Sequence, residues 1–324
     1  MNSFTTMQSY AENYLNERHQ LGFELRSASY SIKSFACYFD NLGCRGVPTI
    51  DVMTTWARLD KGNSKNPITW ARRLKNLRSF VNYLQQFYPQ IEVPDYTIFG
   101  RTEQRLAPHI YNEQEIIDLL AAAHNLGPIP GLRGATYETL FGLIASTGLR
   151  VSEAVHLLDA DVDLKRGILT IRKTKFAKSR QVPLHPSTTE ALKQYRLLRD
   201  CHVMVTEATP FFIGTRGKYL GCILSLRQVH RVFAELRDSL GWHNRGAHNS
   251  PRIHDLRHTF IVQRVMLLHA QGKSVDQEML ALSTYVGHAK ITNTYWYLTG
   301  VPELMALAAE KFETYAEALE VGHE

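Results

Sequence analysis

One aperiodic stretch divides this chain of 324 residues. Between Tyr88 and His109 the sequence reads YPQIEVPDYTIFGRTEQRLAPH, and its three prolines disfavour helix around them. Before it, apolar residues recur at helical spacing from residue 4 to about residue 90. The length is too great for one average domain and fits two. We therefore predict a small all-helical domain at residues 1–90, a linker at 91–111 and a second domain at 112–324.

The second domain is predicted to mix helices with a short β-hairpin. GILTIR and RQVPL have the composition of two strands that flank a polar, lysine-bearing turn. Ser187 and Glu190 are expected to form a capping box that opens the next helix. The predicted fold class is therefore mainly α with a small β-sheet. We expect helices at about 113–124, 137–146 (ending at Gly148), 225–240, 254–271, 276–286, 293–298 and 302–319.

Composition excludes several classes of protein. The first residues lack the pattern of a signal peptide, and no apolar run approaches the roughly 18 residues of a membrane span, so we expect a cytoplasmic protein. The net charge of +6 is weak evidence for a polyanionic partner, but residues 165–180 hold seven basic side chains and no acidic one. The cysteines lack CxxC spacing and are interpreted as reduced structural thiols: Cys37, Cys44, Cys201 and Cys222.

Four separated segments carry side chains suited to binding and attacking a phosphodiester. They are TGLRVSEA, KTKFAKSRQVPL, HDLRH and YVGHAKITNTYWY. Planar guanidiniums hold phosphoryl oxygens in a bidentate fork, and the charge of the transition state gathers on those oxygens. We therefore expect Arg150 and Arg257 to clamp a phosphate.

Tyr297 is the candidate nucleophile, and Tyr295 competes with it on pattern alone. Because a phenol has a pKa near 10, attack at neutral pH needs a nearby base or cationic field. His288 or His254 could supply it. At 100° per residue, His288 and Tyr297 would lie on opposite sides of one straight helix, so they converge only if the chain breaks between them. The polar residues 292–294 offer such a break and a cap for a new helix.

His254, Arg257 and His258 share one helical face, because they are spaced i, i+3, i+4. Two histidines four apart also suggest zinc, but Asp255 stands where HExxH needs glutamate, and no cluster of other ligands is apparent. We therefore predict no metal. His258 is either a satisfied core group or a member of the site, and the spacing alone leaves both open.

Two sets of basic side chains are candidates for binding DNA. Lys175, on the turn between the strands, could protonate a departing 5′ oxygen, with Lys173 and Lys178 as rivals for that role or as contacts to the DNA backbone. Another set, on the last helix of the first domain, forms either a solvated face or one that follows phosphates. The predicted DNA-binding residues are Arg72, Arg73, Lys75, Arg78, Lys173, Lys178 and Arg180.

In this order, the four segments resemble the motifs of the tyrosine recombinases, the phage-type integrases and Xer-type resolvases. TGLRVSEA resembles the first arginine motif, KTKFAKSRQVPL resembles GKGxKxRxVPL, HDLRH resembles HxLRH, and VGHAKITNTYWY resembles LGHxxxxTTxxY. The resemblance selects Lys175 among the lysines and Tyr297 over Tyr295, and it places Glu153 and His258 in supporting roles. The catalytic residues that it implies are Arg150, Lys175, His254, Arg257, His288 and Tyr297.

The resemblance also implies a two-domain architecture, a helical core-binding domain followed by a mixed α+β catalytic domain, which together clamp double-stranded DNA at inverted-repeat core sites. Tyr297 would attack the scissile phosphate, form a 3′-phosphotyrosyl link and free a 5′ hydroxyl, without metal, nucleotide or other cofactor. Four protomers would act on two duplexes, with accessory proteins setting direction. A C-terminal helix within residues 303–324 would pack on a neighbouring protomer.

Three other interpretations remain. A recombinase-derived protein could bind DNA without strand transfer, a type IB topoisomerase-like enzyme could use the same tyrosine chemistry to relax supercoils, and a metal-dependent nuclease could cleave without a covalent adduct. The filled set of catalytic positions disfavours the first, and the separate helical domain disfavours the second. The segment TYWYLTGVPELM favours a recombinase of a mobile element.

Overall fold

The structure is a computed structural model, which describes residues 6–43, 46–59, 62, 64–95, 97–100, 105–127, 131–172, 179–273, 275–301 and 304–305. Its elements are mainly helices, with one three-stranded antiparallel sheet, and this confirms the predicted fold class. The chain divides into two compact units, residues 1–104 and 105–324. The roles assigned to the two domains stay predictions. Within the described ranges, no helix has the length and apolar character that a membrane span requires.

The first unit consists of four described helices. Three of them begin with a polar N-cap, because the side chains of Thr6, Thr49 and Asn66 each accept a hydrogen bond from a backbone N–H of the first turn. Aromatic rings fill the core, where Phe35 meets Trp56 edge-on at 5.4 Å between centroids. The helices are α1 Met7–Gln20, α2 Arg26–Asn41, α3 Ile50–Arg58 and α4 Pro67–Leu84.

The predicted basic face of α4 is smaller than expected. Arg73 folds inward: its Nη2 donates to the carbonyl of Trp56 at 3.1 Å, and its guanidinium lies 4.4 Å from the Trp56 ring centroid. A cation over an aromatic face is attracted by the ring quadrupole, so Arg73 stabilises the core. Arg72 and Lys75 are exposed and Arg78 is half-buried. The face therefore consists of these three residues.

The second unit combines the three-stranded sheet with eight described helices. Strands β1 Val162–Asp163, β2 Ile168–Ile171 and β3 Arg180–Pro183 lie in that order, with Leu169 opposite both Val162 and Val182. Short 3₁₀ turns occur at Asp159–Asp161 and Gly217–Tyr219. The helices are α5 Glu113–His124, α6 Leu132–Thr147, α7 Val151–Val155, α8 Pro186–Asp200, α9 Leu226–Leu240, α10 Ile253–Ala270, α11 Val275–Val286 and α12 Thr292–Gly300.

The capping box predicted at Ser187 and Glu190 is wrong, because α8 begins earlier, at Pro186. Proline is favoured in the first turn, where its fixed φ suits the helix and no hydrogen bond is lost. The cap is His185, whose ring nitrogen accepts from the backbone N–H of Ser187 at 3.3 Å. Glu190 instead accepts from the side chain of Gln194 at 2.8 Å.

Two other predictions concern the C-terminal helix and the cysteines. The helix predicted at 302–319 lies outside the described residues except for 304–305, which are helical. Among the described residues, three cysteines are free but exposed, so they do not belong to the core as structural thiols would: Cys37, Cys201 and Cys222. Cys44 lies outside the described residues.

Helix α6 forms the centre of the second unit and packs against α5, α8 and α10. It ends at Gly148, which adopts a left-handed φ of 63°. A Cβ at this position would lie 2.5 Å from the ring of Phe260 on α10. Glycine thus provides both the turn and the close approach of the two helices. This turn places Arg150 beside α10.

Candidate active site

Arg150 links the turn after α6 to the turn after α11. It is the N-cap residue of α7, and its backbone N–H donates to Oε2 of Glu153 at 3.0 Å. Its Nη1 donates to Oε1 of the same carboxylate at 2.7 Å, and its Nη2 donates to the carbonyl of Gly287 at 2.9 Å. The guanidinium is therefore held in place on two sides, with about a third of its side chain exposed.

Arg257 lies deep beside it, on the second turn of α10. Only 2% of the residue is exposed. Its Nη1 donates to the carbonyl of Gly148 at 2.6 Å, whereas its buried Nη2 has no hydrogen-bond partner among the described residues. An unsatisfied buried donor costs folding free energy, and an anion at Nη2 would remove that cost. Burial and the nearby Arg150 lower the pKa of Arg257 to about 10, so it stays charged at neutral pH.

Glu153 balances the charge of these guanidiniums. Both terminal nitrogens of Arg180 also donate to it, at 3.1 and 2.9 Å. Burial raises the pKa of Glu153, but the hydrogen bonds and charge of Arg180, followed by those of Arg150, outweigh burial and lower it to about 2. The carboxylate is therefore ionised at all physiological pH values.

Arg180, predicted to contact DNA, instead forms hydrogen bonds inside the second unit. Its side chain is 11% exposed, and beyond Glu153 it donates through Nε to the carbonyl of Tyr285 at 2.9 Å. Gly287 makes this packing possible, since a Cβ there would lie 2.5 Å from the Arg180 guanidinium. Arg150 and Arg180 thus hold the C-terminal end of α11, and with it the position of His288.

Tyr297 points into this cluster from α12. Only 2% of it is exposed, and its Oη lies 2.6 Å from Nδ1 of His258 on α10. Tyr295, the competing phenol, is half-buried and lies two residues earlier on the same helix, hence on a different face. The interpretation of His258 as a core group stays a prediction; the half-buried ring also hydrogen-bonds the candidate nucleophile.

His288 lies on the other side of the tyrosine. Its ring is nearly parallel to that of Tyr297, at 14° and 6.4 Å between centroids, and its Nδ1 is 2.7 Å from Oγ1 of Thr294. The chain break that this convergence requires is present between Val286 and Thr292, just before the predicted residues. Thr294 is buried on His288 and does not cap α12, whose N-cap residue makes no side-chain cap bond.

His254 contacts the site through His258. The two ring centroids are 4.9 Å apart, and the edge of His254 reaches solvent. Desolvation by the surrounding protein, together with Arg257 and Arg252, lowers the pKa of His254 to about 4, although the residue as a whole is exposed. The imidazole that hydrogen-bonds the tyrosine hydroxyl is thus His258, which the sequence motifs indicate only as a supporting residue. The signal that could have identified it is its i+4 spacing from His254 on α10.

The pKa shifts of Tyr297 and its two histidine neighbours all favour the neutral forms of these side chains. Burial raises the pKa of Tyr297 to about 12, although Arg257 and Arg105 lower it. Burial, His254 and nearby arginines lower the pKa of His258 to about 2, and burial with Arg257 and Arg150 lowers that of His288 to about 3. The shifts at Tyr297 and His258 both make proton transfer from the phenol to the imidazole unfavourable, because the phenol is a weaker acid and the imidazole a weaker base than in water. An arriving anion must change these values before attack.

The predicted lysines and the question of a metal site remain. Lys175, Lys173 and Lys178 fall outside the described residues. Within the described ranges, no group of three or more histidine, cysteine, aspartate or glutamate side chains is arranged to hold a metal ion. The structure thus brings Arg150, Arg257, His288 and Tyr297 together, and adds His258 to them.

Comparison with known proteins gives matches over nearly the whole chain. Residues 110–301 match the phage integrase family. Two proteins of Sinorhizobium fredii, the integrase/recombinases y4rE and y4rB, are 37% and 33% identical, over 93% and 95% of this chain and 94% and 98% of their own. The crystal structure of XerH site-specific recombinase bound to palindromic difH substrate, a post-cleavage complex, covers 97% of this chain and 91% of its own, with a TM-score of 0.64 and 18% identity.

Proposed function

This chain belongs to the phage integrase family, the tyrosine recombinases, and from this premise we propose that it cleaves and rejoins DNA through a covalent bond between Tyr297 and a 3′ phosphate. The observation that supports this most is the buried Tyr297 hydroxyl, hydrogen-bonded to His258 within the field of Arg257 and Arg150. Three elements distant in sequence converge on one phenolic oxygen. A surface tyrosine with a structural role needs no such set of cations.

The two guanidiniums bind the scissile phosphate. The buried Nη2 of Arg257 donates to one non-bridging oxygen, and Arg150, partly exposed, reaches another. Both positions are preorganised, because Gly148 and Gly287 hold the guanidiniums through their carbonyls. Donors that are fixed before the reaction stabilise developing charge without reorganisation, which is the largest contribution in many enzymes.

The phosphate also activates the nucleophile. Burial, His254 and then nearby arginines lower the pKa of His258; the negative charge of the phosphate offsets the contribution of the arginines, so the imidazole becomes a better acceptor. In the attack, the Tyr297 hydroxyl gives its proton to Nδ1 of His258, the bond from Oη to phosphorus forms and the bond from phosphorus to the 5′ oxygen breaks. The departing oxygen takes a proton from Lys175, the role that its motif predicts. The freed 5′ hydroxyl then attacks a partner strand's phosphotyrosyl link in the reverse sequence.

The substrate is duplex DNA with inverted-repeat core sites. This is supported by the similarity to XerH, which is described as bound to a palindromic substrate. Exchange between two duplexes cuts four strands, so four protomers assemble on DNA, with accessory proteins setting direction. The enzyme works at the nucleoid, in the cytoplasm.

A nicked suicide substrate tests the nucleophile, because loss of the short downstream fragment traps the covalent adduct. We expect Tyr297→Phe to bind DNA with wild-type affinity and to form no adduct. The matched control is Tyr295→Phe, which removes a phenol from another face of the same helix and should retain the adduct. An adduct with Tyr297→Phe, or its loss with Tyr295→Phe alone, would contradict the assignment.

Two further readouts separate this function from its rivals. Two-site strand exchange by the wild-type chain distinguishes recombination from plasmid relaxation alone, which would indicate a topoisomerase. Binding without any adduct would indicate a protein that only binds DNA, and cleavage that is lost with a chelator would indicate a metal-dependent nuclease.

A further inference from the structure

The tyrosine-bearing helix α12 is short and is held from two sides. Its inner face places Tyr297 on His258 and Thr294 on His288. Asn293 and Trp296 are spaced i, i+3 and therefore lie together on another face. Both are contacted by one side chain, Arg105.

Arg105 reaches α12 through two different interactions. Its Nη2 donates to Oδ1 of Asn293, and its guanidinium carbon lies 5.5 Å from the ring centroid of Trp296. A guanidinium can do both at once, because its planar fork carries donors at the edge and a charge that is attracted to an aromatic face. Asn293 is in the first turn of α12 and Trp296 one turn further, so Arg105 spans the turn that ends next to Tyr297.

The chain that carries Arg105 is itself anchored to the catalytic unit. The carbonyl of Ala107 accepts from the backbone N–H of Ala247 at 2.9 Å. His109 is 1% exposed, and its Nδ1 accepts from the backbone N–H of Arg245 at 3.1 Å. The backbone N–H of Tyr111 donates to Oγ1 of Thr259 on α10 at 2.9 Å. The segment therefore connects α12 to α10, the helix that carries Arg257 and His258.

We propose that Arg105 is a positioning residue for strand cleavage: it braces α12 so that the tyrosine hydroxyl stays aligned, and it adds a positive charge to the field around the nucleophile. This rests on the function proposed above. Arg105 lies in the aperiodic connection and belongs to none of the four motifs. Its position can matter strongly, because a misplacement of about 1 Å can lower a rate about 100-fold.

The charge of Arg105 acts on both aromatic groups of the site. After burial, it is among the cations that lower the pKa of His288, and it follows Arg257 in lowering the pKa of Tyr297. Without Arg105 the pKa of Tyr297 would be higher, so cleavage would need a higher pH. Among the described residues, the other titratable and charged groups around the phenol are Arg150, Asp255, Arg257, His258 and His288, with His254 behind His258.

The test is single-turnover cleavage of the nicked suicide substrate by the full chain, at saturating protein, from pH 6 to 10. We expect Arg105→Ala to cleave about ten- to 100-fold more slowly. We also expect the rise of its rate with pH, which reports ionisation of the phenol, to move to higher pH. Arg105→Lys keeps the charge and loses the fork, so it should restore the wild-type pH profile but only part of the rate. The matched control is Arg231→Ala, which removes an exposed arginine and its 3.6 Å ion pair with Glu235 on α9, and should match wild type.

A second variant addresses the other end of the contact. Asn293→Ala leaves Arg105 in place and removes its acceptor, so we expect a smaller loss of rate with an unchanged pH profile. The double variant should be no slower than Arg105→Ala alone, since both changes break one interaction. Additive losses in the double variant would show that Arg105 acts elsewhere, for example on DNA, and would overturn the proposal even if Arg105→Ala folds poorly.

The outcomes separate the two proposals. If wild type forms no adduct, or Tyr297→Phe forms one, the proposed function fails. If wild type forms the adduct and Arg105→Ala matches it in rate and pH profile, the function stands and the role of Arg105 is refuted. A slower Arg105→Ala with an unshifted profile that Arg105→Lys does not rescue would refute the electrostatic contribution.

Discussion

The arginines at the site of the second unit and the basic residues on the outer face of α4 carry the same charge, but their surroundings differ. Arg257 and Arg180 are almost fully buried and have fixed partners, whereas Arg72 and Lys75 are exposed. Two charges 4 Å apart interact by about 1 kcal/mol in water and about 4 kcal/mol at the effective dielectric of a partly buried site. A buried guanidinium with a donor left free by the described residues, such as that of Arg257, can therefore stabilise a transition state, whereas the exposed set can add only salt-sensitive binding. Burial, more than residue type, decides between the two roles.

The largest expected effect is the removal of a buried donor. Arg257→Ala should lower the single-turnover cleavage rate about 100- to 1,000-fold, because it loses about 3 to 4 kcal/mol of transition-state stabilisation. DNA affinity should change by much less, since one phosphate contact is a small part of the total. Cleavage and equilibrium binding are measured on the same substrate. The control is Arg227→Ala, an exposed arginine on α9. An Arg257→Ala chain that cleaves at the wild-type rate would contradict the clamp.

The next effect is on folding and follows from charge balance. Glu153→Gln leaves Arg180 and Arg150 without their shared carboxylate and should lower the free energy of unfolding by about 3 kcal/mol, as is typical when one partner of a buried pair is removed. Denaturant unfolding at pH 7 measures it. The matched control is Glu235→Gln, whose carboxylate pairs with Arg231 at the surface and should change stability by less than about 1 kcal/mol.

The pH dependence of stability sharpens the same prediction. The folded pKa of Glu153, about 2, lies below its ordinary value, so its stabilisation is present above about pH 4.5 and is lost as the pH falls towards 2. Wild type should lose stability through this window, and the loss should be smaller in Glu153→Gln. Identical slopes in the two chains would show that another carboxylate dominates acid unfolding.

A middle-sized effect is expected at His258. His258→Ala removes the hydrogen-bond partner of the Tyr297 hydroxyl and should slow cleavage about 100-fold, at the lower end of the range for a lost general base. His254→Ala is the comparison, because His254 touches His258 and makes no described hydrogen bond to the phenol. If His254→Ala cleaves more slowly than His258→Ala, then His254 is the base and His258 is not.

The sequence motifs predict which residues form the site better than they predict the contacts between those residues. The motifs indicated Arg150, Arg257, His288 and Tyr297, which the structure brings together, since each has a fixed distance to a local signal. The contact of His258 with Tyr297 spans 39 residues and depends on how α10 and α12 pack. Patterns within one helix cannot reveal it.

Two arginines show the same limit. Arg180 was placed among the DNA contacts because the basic turn beside it suggested a phosphate-binding surface. Its carboxylate partner lies 27 residues away, and only the fold brings them together. Arg105 lies in a stretch without periodicity, where no local signal indicates a partner, and Asn293 is 188 residues further along. Tertiary packing determines which long-range polar contacts form, so these contacts can be identified only once the positions of the helices are known.

The smallest effect concerns the exposed face of α4. If Arg72 and Lys75 follow the DNA backbone, Arg72→Ala and Lys75→Ala should each weaken binding a few-fold at low salt and reduce the slope of log affinity against log salt by about 1, equally for specific and unrelated DNA. The matched control is Arg73→Ala on the same helix. Its guanidinium packs on Trp56, so its loss should lower stability by about 1 to 2 kcal/mol and leave the salt slope unchanged. An unchanged slope in all three variants would make α4 a solvated face and leave DNA binding to other surfaces.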